Sequence, residues 1–204
     1  KIKQGLWKGY NLWDLYDWAQ TPFEWQEDLF KFAKNLGITC ISTPFDETAV
    51  DFLEKLNCPF YKLSSFEITH IPLIKKIASK KKHMIISTGM ASLKEIKIAY
   101  DTAIKYGAKS VTLLYCVSNY PSDISDFNLT NISIMRKKFN CEVGLSDHSL
   151  DNSISSTSVA LGARIFEKHI ALNKKKGLDA QFSLVGKEIL EYKKTLIKIY
   201  KLVN

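Results

Sequence analysis

Six short motifs along this chain carry side chains able to do chemistry. They are Ser42-Thr43-Pro44-Phe45-Asp46, Tyr61-Lys62-Leu63-Ser64-Ser65-Phe66-Glu67, Ser87-Thr88-Gly89-Met90, Cys116-Val117-Ser118-Asn119-Tyr120-Pro121, Gly144-Leu145-Ser146-Asp147-His148-Ser149 and Glu167-Lys168-His169. Nearly every one holds a hydroxyl, and two hold lysines. Hydroxyls donate hydrogen bonds and a lysine supplies full charge, so side chains of these types aimed at one point make a phosphate site. Two of the four histidines, His148 and His169, fall in consecutive motifs. Side by side they could share one divalent metal and leave coordination positions for water and substrate. A lone histidine reads more naturally as a structural group; the coincidence of two favours ligands. Glu67 could serve in proton transfer or hold sugar hydroxyls, or it could pair with Lys62. Asp147 has no assigned role, and His70 and His83 read as surface residues.

These motifs must be positioned by the elements around them. Runs that are apolar on both faces occur at Ile38 to Pro44, Phe60 to Ser64, Met84 to Thr88, Val111 to Val117, Glu142 to Leu145 and Arg164 to His169. Such runs suit strands of a parallel sheet covered on both sides. Between them lie amphipathic patterns predicting helices over Glu24 to Asn35, Glu47 to Leu56, Pro72 to Ser79, Ser92 to Tyr106, Asn128 to Phe139, Ser153 to Leu161 and Lys187 to Leu202. The fourth opens on the capping box Ser92-Leu93-Lys94-Glu95 and stops at Gly107. The alternation predicts right-handed βαβ units, six in number, with an extra helix ahead of the first strand. A doubly wound sheet would announce itself with a glycine-rich first turn, and none is present. The fold expected is therefore an α/β protein of the (β/α)8 TIM-barrel type, in which chemistry sits at the carboxyl ends of the strands. Six units fall two short of eight. The chain opens at Lys1-Ile2-Lys3-Gln4 without an initiator methionine, so the expectation is residues 1–204 of a barrel domain whose first two strands lie upstream.

Composition narrows the partners. The formal net charge is +8, but the lysines are spread over helix patterns such as Lys75, Lys76, Lys94 and Lys97. Only two arginines occur, Arg136 and Arg164, and no aromatic-interleaved basic motif appears. This describes a solvated surface, not a nucleic-acid face. Cys40, Cys58, Cys116 and Cys141 form no CxxC pair, which suits a reducing cytoplasm. No apolar run approaches a membrane span. Trp7, Trp13, Trp18 and Trp25 recur near helical spacing and read as a helix-packing stripe before a sugar-stacking platform.

The segments STPFD, YKLSSFEI, IISTGMA, CVSNYP, GLSDHS, VALGARIFEKH and GLDAQFSL follow the order found in the sialic acid synthase family. The resemblance covers essentially the whole chain. The forms GLW, TPFEW, SSFE and DAQFS are most similar to the pseudaminic acid branch; the sialic and legionaminic acid branches more often show glycine-glutamate after the serine and a Gly-Pro-Asp further on. The resemblance implies condensation of phosphoenolpyruvate with an open-chain acetamido sugar, giving a nine-carbon keto acid and phosphate. It implies phosphoenolpyruvate contacts from Thr43, Lys62, Ser65, Ser118 and Ser146, a manganese or magnesium ion on His148 and His169, and Glu67, Tyr120 and Asp179 facing the sugar. Asp179 rests on the resemblance alone. The resemblance also implies a C-terminal antifreeze-like domain, outside these residues, that caps a partner's site in a homodimer. The competing reading from another class is an inactive basic binding module, which would predict degraded strand tips, and these tips are intact.

Overall fold

The computed structural model describes residues 1–3 and 5–204. Two helices come first, α1 (Leu12–Ala19) and α2 (Phe23–Asn35), followed by α3 (Glu47–Lys55) and the strand β1 (Tyr61–Leu63). Then come α4 (Ile71–Ala78), β2 (His83–Ser87), α5 (Leu93–Lys105), β3 (Ser110–Cys116), α6 (Thr130–Phe139), β4 (Glu142–Asp147), α7 (Asn152–Ala160) and β5 (Phe166–Lys168). The chain closes with β6 (Ile170–Ala171), β7 (Leu184–Val185) and α8 (Lys187–Val203). Helix starts follow local chemistry. The Asp46 carboxylate accepts from the Ala49 N–H at the head of α3, and the Ser92/Glu95 capping box opens α5.

Strands β1 to β5 form one parallel sheet in sequential order. Successive side chains of a strand point to opposite faces. One face carries Tyr61, Leu63, Met84, Ile86, Val111, Leu113 and Val143, buried in a continuous core with Leu73, Ile74 and Ile77 of α4, Ile96 and Ala99 of α5 and Ile132 and Met135 of α6. The alternate positions, Lys62, Ile85, Ser87, Thr112, Leu114, Cys116, Ser146 and Glu167, fall on the other face. That face is mixed apolar and polar, and its polar members concentrate toward the carboxyl ends of the strands. The architecture is a curled, five-stranded parallel half-barrel with helices on its convex side.

Several expectations change. Residues 38–44, read as the first strand, form no regular element. The run is apolar enough for a strand, but a strand exists only through its ladder, and β1 pairs with β2 alone. Ile38 stays 61% exposed at its start. Beyond Lys168, the sheet gives way to a separate parallel pair, β6 with β7, which ties the loop between them beside the strand tips. The tryptophan stripe is also corrected. Trp13, Trp18 and Trp25 are exposed, at 79%, 66% and 59%, because they project from α1 and α2 away from the sheet core. His83, expected on the surface, is half-buried at the start of β2, with its Nδ1 2.7 Å from the Ser110 hydroxyl.

Candidate active site

The carboxyl ends of β1, β2 and β3 converge on Gly89. Its N–H donates to the Ser65 hydroxyl at 3.0 Å. A Cβ added at Gly89 would stand 2.2 Å from Ser118 Oγ, 2.9 Å from Ser65 Oγ and 3.2 Å from Cys116 Sγ. Only a residue without a side chain lets three tips approach this closely. Ser87, two residues earlier on the same strand face, has a buried hydroxyl with no hydrogen-bond partner among the described residues. A buried unsatisfied donor is costly, and a ligand oxygen relieves it.

Lys62 is buried. Its Nζ lies 3.3 Å from its neighbour Leu63's carbonyl and 3.4 Å from Glu167 Oε2. The other Glu167 oxygen accepts from the Ser146 hydroxyl at 2.6 Å, as the pairing of Ser146 with Glu167 across β4 and β5 permits. The pairing of Lys62 with Glu67 is thereby overturned. Glu67 lies in the 3-10 turn Ser65–Glu67, where the chain turns away after β1, and its buried Oε2 has no hydrogen-bond partner among the described residues.

The histidines form the second group. His148 Nδ1 lies 2.8 Å from the Val117 carbonyl. A carbonyl can only accept, so Nδ1 carries the proton and Nε2 keeps its lone pair. Burial lowers the His148 pKa, which favours the neutral ring. His169 presents Nδ1 3.3 Å from the Asp179 carboxylate. The two rings lie 5.3 Å apart between centroids. Tyr120 stacks 4.3 Å from His148, and Phe182 lies 5.0 Å from His169. The Tyr120 hydroxyl is pushed up to about 12 by burial, with Cys116, Asp179 and Glu167 adding to the shift. Behind the histidines, Asp147 and Lys168 form a buried ion pair at 2.9 Å. Ser149 and Ser155 donate to the same carboxylate, and Tyr192 of α8 meets Ser155. Asp147, left without a role by the sequence, thus joins β4 to β5 next to both rings.

Lys62, Ser65, Ser118 and Ser146 therefore share the concave face, and His148, His169, Tyr120 and Asp179 share its rim. Thr43 is half-buried on the unpaired segment before α3 and stands outside this hydrogen-bonded set. Ser87 and Glu167 stand in the strand-tip motifs, but the sequence analysis gives neither a role in the site. Their signal was the period-2 alternation, which puts both on the face of Lys62 and Ser146.

Such a curled parallel half-barrel, polar at the carboxyl ends of its strands, defines an α/β protein of the barrel-related class. The chain belongs to the NeuB family, whose sequence model matches residues 1–203. It is 41% identical over 184 residues to a pseudaminic acid synthase of Campylobacter jejuni subsp. jejuni serotype O:2, covering 90% of this chain and 54% of that protein. It is 42% identical over 166 residues to an N,N'-diacetyllegionaminic acid synthase of the same organism, covering 80% of this chain and 50% of that protein. The crystal structure of an N-acetylneuraminic acid synthetase from Leptospira borgpetersenii superposes with a TM-score of 0.87 at 30% identity, over 91% of this chain and 65% of that one. The chain spans about half the length of the curated relatives it matches.

Proposed function

We propose that the complete protein is a nonulosonic acid synthase. It condenses phosphoenolpyruvate with an open-chain diacetamido-trideoxy hexose to give pseudaminic acid and phosphate. The observation that carries this reading is the convergence of Ser65 and Ser118 on Gly89, on the same face as the buried Lys62. Hydroxyls, a backbone N–H and one ammonium gathered on the concave face suit a phosphate monoester, and similarity to pseudaminic acid synthases supports the choice of reaction.

The division of labour follows from charge. Lys62, with Ser65, Ser118, Ser146 and Thr43, holds the phosphoenolpyruvate, and the unpartnered Ser87 hydroxyl adds a donor. Glu167 occupies Lys62 until the anion arrives. The enol carbon attacks the sugar aldehyde, water adds at the phosphate-bearing carbon, and phosphate leaves with its carbon–oxygen bond broken. Fixed donors on the strand tips stabilise the departing charge and need no rearrangement to do so. Glu67, with its unpartnered oxygen, accepts from sugar hydroxyls, and Tyr120 and Asp179 face the same substrate. Holding both substrates on one rigid face supplies the proximity this bimolecular step needs.

A divalent ion, manganese or magnesium, fits His148 and His169. His148 keeps Nε2 free while its Nδ1–H is held by the Val117 carbonyl, which fixes the tautomer and orientation a ligating imidazole needs. Among the described residues no group of three His, Cys, Asp or Glu gathers, so water and substrate would complete the shell. When bound, the ion supplies Lewis acidity at a carbonyl oxygen.

The related reading, a legionaminic or N-acetylneuraminic acid synthase, is favoured by the identity to the legionaminic enzyme. The SSFE and DAQFS forms favour pseudaminic acid. An inactive binding module would have no need of an orphaned Glu67 oxygen and Ser87 hydroxyl on polar strand tips. Cytoplasmic location and a homodimer belong to the same proposal, as does independence from nucleic acid and membrane; no described helix is long and apolar enough to cross a membrane. The test is to incubate the complete protein with phosphoenolpyruvate, Mn2+ and, in turn, the open-chain acetamido sugar required for pseudaminic, legionaminic or N-acetylneuraminic acid, while following phosphate release. Release with the diacetamido-trideoxy sugar is expected, and no release with any of them would contradict the proposal.

A further inference from the structure

Of the four tryptophans, Trp7 alone turns inward. It lies in a small loop closed by two backbone hydrogen bonds, Ile2 N–H to the Tyr10 carbonyl at 2.8 Å and Gly9 N–H to the Ile2 carbonyl at 2.9 Å. Gly5 and Gly9 supply left-handed backbone at φ 81° and 95°. From this loop the Trp7 ring packs on Tyr120 with centroids 5.5 Å apart. Its indole N–H donates to the Leu178 carbonyl at 3.3 Å.

The Tyr120 contact leads to His148, and also edge-on to His169 at 6.4 Å between centroids; the Leu178 contact leads to His169 alone. Tyr120 stacks at 4.3 Å on His148. Leu178 adjoins Asp179, whose carboxylate holds His169. We propose that Trp7 is a positioning residue of the histidine rim. Its ring braces Tyr120 against His148, and its N–H fixes the turn that presents Asp179 to His169. One side chain thereby sets the relative pose of two rings carried by different strands. An indole suits this task, because it offers a broad apolar face and a single polar handle at one edge. Among the described residues, no ring pairing or side-chain hydrogen bond joins the three exposed tryptophans to Tyr120 or Leu178.

The consequence for the sugar rests on the synthase reading above, while the consequence for the rings does not. Two variants separate the contacts. Trp7→Phe keeps a ring on Tyr120 and removes the N–H; Trp7→Ala removes both. The first readout is the ring-proton NMR spectrum of His148 and His169 in the metal-free complete protein, assigned through His→Gln variants. Trp7→Ala should shift both histidines, and Trp7→Phe chiefly His169. The second readout is kinetic. Loss of a group that orients a metal-ligating side chain costs about 10–100-fold in metal affinity or activity, so Trp7→Ala should raise KM for the sugar about tenfold while KM for phosphoenolpyruvate stays within about twofold. Wild-type histidine resonances in Trp7→Ala would overturn the proposal. If that variant does not fold, an unshifted His169 in Trp7→Phe overturns it equally. Absence of turnover in the wild type would defeat the synthase reading, and the resonances would still decide the role of Trp7.

Discussion

Lys62 and Glu167 meet at 3.4 Å although they stand on the two edge strands of a five-stranded sheet. Neighbouring strands lie about 4.8 Å apart, so the edges of a flat sheet of this width would be separated by about 19 Å. A lysine and a glutamate on one face can close that gap only if the sheet curls strongly toward them. The pair therefore records the barrel curvature, and it also places a negative charge where an anionic substrate would bind.

That placement has a consequence of definite sign. Glu167→Gln keeps an acceptor for the Ser146 hydroxyl and removes the charge competing for Lys62. Inorganic phosphate should bind the variant several-fold more tightly than wild type at low ionic strength, with the gain shrinking as salt screens the site. Calorimetric titration measures this, and weaker phosphate binding in the variant would be the contrary result.

Gly89 bears on how the tips approach one another. Gly89→Ala would press a methyl group onto Ser118 Oγ and Ser65 Oγ, so phosphate affinity should fall together with the thermal midpoint. Deleting Ser118 Oγ removes the nearest clash. The double variant Gly89→Ala/Ser118→Ala should therefore be more stable than Gly89→Ala by about 1 kcal/mol or more. Additive effects in the denaturant midpoints would argue that the tips are further apart.

Stability against acid should depend on Glu54. Burial works to raise the pKa of this carboxyl, but hydrogen bonds from Lys82 and Tyr61 outweigh it and hold the group below its ordinary value. A lowered folded pKa contributes stability above the unfolded value, about 4.3, that is lost as pH falls through the folded value. Glu54→Gln should leave a smaller drop in Tm than wild type between about pH 5 and pH 3. An identical pH profile would show that the pairing contributes nothing.

The legible parts of this protein were those written locally. Strands such as Met84 to Thr88 announced themselves because both faces are apolar, and the Ser92 helix because its cap lies within four residues. Ile38 to Pro44 carries the same apolar signal, yet strand formation depends on a partner's ladder, which no local pattern records. Hydroxyl-bearing tips could be named in advance, whereas the pairing of Lys62 with Glu167 could not, since it depends on curvature accumulated over five strands. Trp7 shares its residue type and spacing with three exposed tryptophans, and its contacts with Tyr120 and Leu178 distinguish it. Asp179 carries no local signal and was reached through a family motif; its neighbour His169 supplies the physical reason for it.

The central claim is that the concave face holds phosphoenolpyruvate through the charge of Lys62, with hydroxyls in support. Removing a charged partner from a buried site costs about 2–5 kcal/mol, more than removing a neutral donor. The decisive measurement is calorimetric titration of phosphoenolpyruvate into the complete protein carrying Lys62→Ala or Ser118→Ala. Lys62→Ala is expected to weaken binding far more than Ser118→Ala. Unchanged affinity in the Lys62 variant would contradict the account.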